Sequence, residues 1–322
     1  MKLRIFLAAL LPMALIALPA CQRSSAYKHD QDYYRPDSDS YYNNHGKPST
    51  DQLAAMGQPK KRVVVLDFWN NTPVDVDNLG LFSADELRRG LYLTQRMIIS
   101  PEIKSEYNTA NFLEGDQIRV AQLIREGRKI GVSVVIIGRV KRIVFRQKGD
   151  DIGILRQKES IAAADVELKL FDIAGGREML ASSRSGEASS SSLVAMEPEN
   201  LESVAYRAEL VRMAIRNAVA QLVPDVVKAV DKLNWQGRIA KVVGNRIYVN
   251  AGKASGLIGG DILRVMAPGD DIYDPTTGAF LGRTPGQLKG TLEVIDFLGV
   301  DGAVAEIHTG GNFQENDVVQ LY

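Results

Sequence analysis

The run Val132 to Val140, with Val134-Val135-Ile136-Ile137 at its centre, is the most strand-like segment of the chain and constrains its fold more than any other. Four consecutive β-branched aliphatic residues leave no polar face, which predicts a strand buried on both sides. Such a strand needs a layer above it and another below. Upstream, Arg62 to Phe68 is a second β-branched run without helical period, followed by the turn-rich Asn70-Asn71-Thr72-Pro73. Ser83-Ala84-Asp85-Glu86 has the form of a capping box, predicting a helix that starts there and carries Leu87 and Leu91 on one face. Arg96 to Ile99 predicts a short strand ended by Pro101. Asp116 to Ile130 predicts a helix with Ile118, Ala121, Ile124, Gly127 and Ile130 on one face and Gly131 as its stop. Two βα units feeding a buried central strand make an α/β half-domain.

Beyond Val140 the pattern changes to hairpins. Arg139 to Gln147 and Ile152 to Lys158 flank Lys148-Gly149-Asp150-Asp151, and Val166, Leu168 and Leu170 alternate with charged residues as in a strand buried on one face. Ala174-Gly175-Gly176 turns that strand into Arg177 to Ser185. After a serine-rich loop, Ser189 to Ser192, the residues Val204, Ala208, Val211, Ile215, Ala218 and Leu222 keep three-four spacing. They predict a long helix, extending past Pro224 to Leu233, as the main cover of the sheet. From Trp235 onward, Gly237 to Val242, Arg246 to Asn250, Asp261 to Met266, Leu288 to Phe297, Gly302 to His308 and Asp317 to Tyr322 read as short strands between tight turns, the spacing of a small barrel. The glycine-rich stretch Asn250 to Gly260 is read as turn geometry rather than an anion cradle, since no helix follows it and the P-loop pattern is missing. The expected fold class is thus a mixed α/β sheet covered by helices at 61–233, followed by a small all-β barrel at 235–322.

Composition removes most catalytic equipment. With 39 Lys and Arg against 39 Asp and Glu, the net charge is zero and no nucleic acid or other polyanion partner is indicated. The chain has one cysteine, Cys21, and of its three histidines only His308 lies in sequence expected to fold. No cofactor, no metal site and no catalytic set is expected. His308 reads as a partly exposed strand residue. Asp67, at the end of the first strand, is the best general base that a hydrolase would have, but strand-end aspartates usually cap turns and no His, Ser or second carboxylate pairs with it by spacing.

The first sixty residues are of another kind. Lys2 and Arg4 precede an apolar run from Ile5 to Leu18, too short for a stable membrane span and laid out as a secretory signal. Leu18-Pro19-Ala20-Cys21 resembles the cleavage and lipid-attachment box of bacterial lipoproteins. That resemblance implies removal of residues 1–20 and a membrane anchor through diacylglycerol on Cys21. A plain signal peptide cut near Ala20 is the alternative, and Pro19 departs from the usual small residue. Gln22, by resemblance to the lipoprotein sorting rule of Gram-negative bacteria, implies the periplasmic face of the outer membrane. Residues 21–60 have scarcely an aliphatic side chain and are expected to form a disordered tether, with an end-to-end distance on the order of 35 Å. The paired Tyr33-Tyr34 and Tyr41-Tyr42 are read as parts of that linker.

Arg62 to Phe68, the helix from Ser83, Lys129 to Gly138 and Val166 to Asp172 resemble the periplasmic domain of the curli secretion lipoprotein family, CsgG, over Lys61 to Leu233. The penicillin-binding-protein activator LpoB shares that fold. Val242 to Gly282, with Asn245 to Gly252, Gly260-Asp261 and Asp274 to Gly282, resembles the carboxy-terminal domain of the flagellar assembly protein FlgT. Together the resemblances imply a non-enzymatic lipoprotein that scaffolds the assembly or export of a surface structure. Its implied partners are periplasmic or outer-membrane assembly proteins and, in a homo-oligomeric ring, copies of itself. An LpoB-like activator of a cell-wall synthase is the alternative, and a hydrolase using Asp67 a remote one. The CsgG pore is not carried over. The corresponding hairpins hold Lys141, Arg142, Arg146, Lys148, Asp150, Asp151, Arg156, Lys158 and Glu159, and a Lys or Arg on a lipid face at mid-bilayer costs about 2 to 4 kcal/mol.

Overall fold

The computed structural model describes residues 57–74, 76–100, 108–149, 158–189, 203–277 and 280–322. In chain order the first part holds strands β1 (Lys61–Val65) and β2 (Trp69–Asn70), helix α1 (Leu79–Leu93) and strand β3 (Met97–Ile99). The two-residue strands β4 (Leu113–Glu114) and β5 (Gln117–Ile118) then lead into helix α2 (Val120–Ile130). Three long strands follow, β6 (Val134–Gly149), β7 (Lys158–Asp172) and β8 (Arg177–Ser189), and helix α3 (Val204–Asp231) closes the part. The sheet runs β3-β1-β6-β7-β8, with β2 also paired to β6. β1 is parallel to β3 and β6, whereas β6, β7 and β8 pair antiparallel, so the sheet is mixed.

Side-chain alternation divides the core into two layers. Val63, Val65, Val134 and Ile136 face α1 and α3, while Val64, Leu66, Val135 and Ile137 face α2 and Phe112. All eight are at most 3% exposed, as a strand covered on both sides requires. The outer halves of β6 to β8 are covered on one face only. There Val140, Ala162, Ala164, Val166 and Ala188 pack in the α3 layer, and the other face carries ion pairs from Arg139 and Lys141 to Glu167. A β-bulge between Val140 and Arg142 inserts one residue in β6, so that Ile143 continues the inward set.

Several local expectations are corrected. Ser83 does not cap α1. The helix starts at Leu79 behind Asn78, which has a left-handed backbone (φ 54°), and fully buried Ser83 donates its hydroxyl to the Leu79 carbonyl at 2.7 Å. A buried hydroxyl inside a helix has that carbonyl four residues back as its nearest acceptor. Helix α2 starts at Val120, not Asp116, because Gly115 (φ 59°) turns β4 into β5 first. Ala121 is exposed and Leu123 takes the inward place. Gly131 (φ 72°) ends α2 as expected, its N–H returning to Arg128 and Gly127. β6 is one strand of 16 residues whose partner is Lys158–Asp172 rather than Ile152 to Lys158; residues 152–157 lie outside the described residues. The seam of α3 begins at Tyr206, leaving Val204 81% exposed, and the helix runs unbroken through Pro224.

The second part is a closed barrel of β9 (Gly237–Val243), β10 (Arg246–Val249), β11 (Ile262–Met266), β14 (Leu288–Leu298), β15 (Gly302–Gly310) and β16 (Val318–Leu321), in the order β10-β15-β14-β11-β16-β9. Trp235, Ile239, Ile247, Leu263, Val265, Leu292, Val294 and Val319 fill it. All six strands coincide with those expected, to within one or two residues. An additional hairpin, β12 (Asp271–Tyr273) and β13 (Phe280–Arg283), leaves the barrel as an arm between β11 and β14.

Helix α3 lies so close to β8 that backbone meets backbone. A Cβ at Gly186 would stand 2.1 Å from the Ala214 carbonyl oxygen and 2.3 Å from the Ala218 nitrogen. Gly186→Ala is therefore expected to force the helix off the sheet and cost about 1 to 3 kcal/mol, typical of overpacking. The check is urea unfolding, with a lowered midpoint and an unchanged slope.

Candidate functional site: a cationic cleft between sheet and barrel

Polar contacts centred on two aspartates, Asp301 and Asp271, join the barrel to the sheet. The first lies in the turn between β14 and β15. Its Oδ1 accepts the backbone N–H groups of Gly252 (2.7 Å) and Ser255 (2.8 Å), and its Oδ2 accepts the Ser255 hydroxyl (2.6 Å) and Nη2 of Arg62 on β1 (3.0 Å). The glycine-rich stretch does hold an anion after all, a carboxylate of its own chain. Burial pushes the Asp301 carboxyl up, but the Ser255 hydroxyl, Arg62 and the two amides outweigh it and hold it below the usual carboxylate range. Asp301 was not singled out in the sequence, since its partners lie 46, 49 and 239 residues away.

The second contact walls a cleft of about 550 Å³. Arg128, in the last turn of α2, reaches both oxygens of Asp271 at the base of the arm (2.7 and 2.6 Å). Arg283, on β13, approaches the same carboxylate at 3.4 Å. Arg238, on β9, donates to the Arg128 backbone carbonyl. The arm rests on the β7–β8 turn, where a Cβ on Gly176 (φ 69°) would stand 2.2 Å from the Phe280 ring. The Arg128 guanidinium lies 5.7 Å from the centre of that ring. Arg177 and Lys232 add two more cations to the lining. Burial, then repulsion from Arg283 and Arg128, lowers the Arg238 pKa, and burial and Arg128 lower that of Arg283 against the pull of Asp271 and Asp270. Arginine stays protonated through such shifts, so they register as mutual repulsion.

The residues considered from sequence fall elsewhere. Asp67 is ion-paired to Arg88 at 2.8 Å, and Arg88 also holds the Val65 carbonyl and Asp85. The Asp67 backbone carbonyl accepts the Thr109 hydroxyl. His308 is an exposed residue of β15 with Nδ1 3.1 Å from the Thr291 hydroxyl. Among the described residues no group of three or more His, Cys, Asp or Glu is arranged to hold a metal ion, and no helix is long and apolar enough to cross a membrane. Cys21 and the tyrosine pairs lie outside the described residues.

No family model matches this chain, and no curated protein matches it. Part of the chain is similar to several solved bacterial structures at low identity and low TM-score. The hypothetical protein CT253 from Chlamydia trachomatis is 15% identical with a TM-score of 0.37, over 53% of this chain and 98% of that one. The lipoprotein GNA1162 from Neisseria meningitidis is 14% identical with a TM-score of 0.29, over 52% and 96%. The LpoB C-terminal domain from Salmonella enterica is 12% identical with a TM-score of 0.24, over 42% and 88%. At these scores none of them bears on the function of this chain.

The Asp301 contact yields a pH prediction. Its folded pKa is depressed, so its contribution is complete above the ordinary carboxylate value of about 4 and is lost as pH falls through the lower folded value. Asp301→Ala is expected to cost about 2 to 4 kcal/mol at pH 7, because two amides and Arg62 lose their acceptor. In denaturant melts the gap between wild type and Asp301→Asn should be constant from pH 7 to 5 and narrow below pH 4.

Proposed function

We propose that this chain is a non-enzymatic lipoprotein, held through Cys21 at the periplasmic face of the outer membrane, that acts as a scaffold in the assembly or export of a surface structure. The observation that carries the reading is the Leu18-Pro19-Ala20-Cys21 box behind a short apolar run, with the only cysteine of the chain at the attachment position. Residues 22–60 then serve as the tether, 61–233 as a CsgG-like part and 235–322 as a FlgT-like part. The sheet and barrel are its docking surfaces for assembly proteins or for further copies in a ring. Curli-like and flagellar-like structures are the classes these resemblances suggest. The length of the tether favours a second reading, an LpoB-like activator that reaches a cell-wall synthase. Asp67 fits a hydrolase poorly, because Arg88 holds its carboxylate.

Cys21→Ser is expected to move the protein from the membrane to the soluble fraction on cell fractionation. Retention in the membranes would show that lipid is not the anchor. A strain lacking the protein should lose assembled surface filaments and keep its rate of wall synthesis; the reverse pattern favours the synthase activator. The fragment Trp235 to Tyr322, expressed alone, is expected to melt in one cooperative transition, as a separate barrel would.

A further inference from the structure

We infer that the cleft between the β7–β8 turn and the barrel arm is a binding site for a phosphoryl dianion. Five cations line it, Arg128, Arg177, Lys232, Arg238 and Arg283, while the carboxylates at or beside it are Asp172, Asp270 and Asp271. The balance is an excess of two positive charges. The acids are also in use, since Asp271 is shared by Arg128 and Arg283 and Asp172 Oδ1 accepts the Ala174 N–H.

Other half-buried arginines of this molecule have a carboxylate of their own. Arg62 has Asp301, Arg88 has Asp67, Arg96 has Asp231 and Arg139 has Glu167. Arg238 differs. Among the described residues no carboxylate lies within ion-pair distance of it, and its one side-chain hydrogen bond goes to a backbone carbonyl. Buried Nη2 of Arg128 has no hydrogen-bond partner either. Three guanidiniums brought together from α2, β9 and β13 repel one another, and burial adds to the cost. An anion between them reverses both effects. A phosphoryl group matches the excess charge and offers three oxygens to planar forks arriving from different elements, whereas a carboxylate offers two oxygens and one charge. The volume exceeds that of a phosphate ion and leaves room for a small polar substituent, within the range of small-molecule sites. The inference does not depend on the scaffold reading.

The test is calorimetric titration and thermal unfolding of the full chain in detergent. Inorganic phosphate, glycerol 3-phosphate and acetate are compared at matched ionic strength. Wild type is expected to bind phosphate saturably and to melt higher in its presence, with acetate far weaker. Tighter binding of glycerol 3-phosphate identifies a monoester as the ligand, and equal binding identifies free phosphate. Arg238→Gln should weaken phosphate binding about tenfold and, without phosphate, melt no lower than wild type, because it removes a repulsion. Arg238→Lys, which keeps the charge and loses the fork, should fall between. Exposed Arg177→Gln is a second variant that leaves the packing intact and should also weaken binding severalfold. Failure of wild type to saturate, an equal response to acetate, or undiminished phosphate binding by both glutamine variants would overturn the site.

Discussion

Helix α3 lies against β8 with no side chain between Gly186 and the helix backbone at Ala214 and Ala218, and the first part of the molecule depends on that approach. Three long antiparallel strands present an apolar face that α3 covers, with α1 beside it over the start of β6. Left open, that face would be a large exposed apolar patch. The small side chains of Ala162, Ala164 and Ala188 bring the helix near enough for Tyr206, Leu210, Ile215 and Leu222 to be fully buried. Full burial of a large apolar side chain stabilises by about 1.5 to 3 kcal/mol, so a helix of this length can hold the sheet beneath it.

The joint between sheet and barrel is of a different physical kind. The hydrophobic clusters under α3 and α2 are made of residues from the first part, and the barrel cluster is made of residues from the second. What crosses between them is largely polar: Arg62 with Asp301, Arg128 with Asp271, Arg238 with the end of α2, and the Lys60 N–H on the Ser255 carbonyl. Phe280 on Gly176 is an apolar touch between them. Partly exposed ion pairs are screened by salt, so this joint should respond to ionic conditions that leave both cores intact. A cleft lies between the parts at this polar joint.

The core strands were legible in the sequence because their signals are local. Period-two alternation in Val166, Leu168 and Leu170, the β-branched runs at 63–65 and 134–137, and the glycines at 131 and 176 each state their role within a few residues. The six barrel strands were placed by the same means. The arm β12–β13 escaped, since its apolar residues Ile272, Tyr273 and Leu281 stay exposed and alternate with no buried face.

What only the tertiary structure decided involves residues far apart in the chain. Ser83 has the sequence signature of a cap, yet it is buried within α1, which starts one turn earlier at Leu79. The loop 250–260 looks like a bare turn until Asp301 arrives to accept its amides. The five cations of the cleft come from positions 128, 177, 232, 238 and 283, each unremarked in a chain whose charges cancel overall. Local sequence sets which segments extend and which coil, because backbone preference and side-chain period act over a few residues. Charge excess at a point in space depends on distances between those segments, and packing alone sets them.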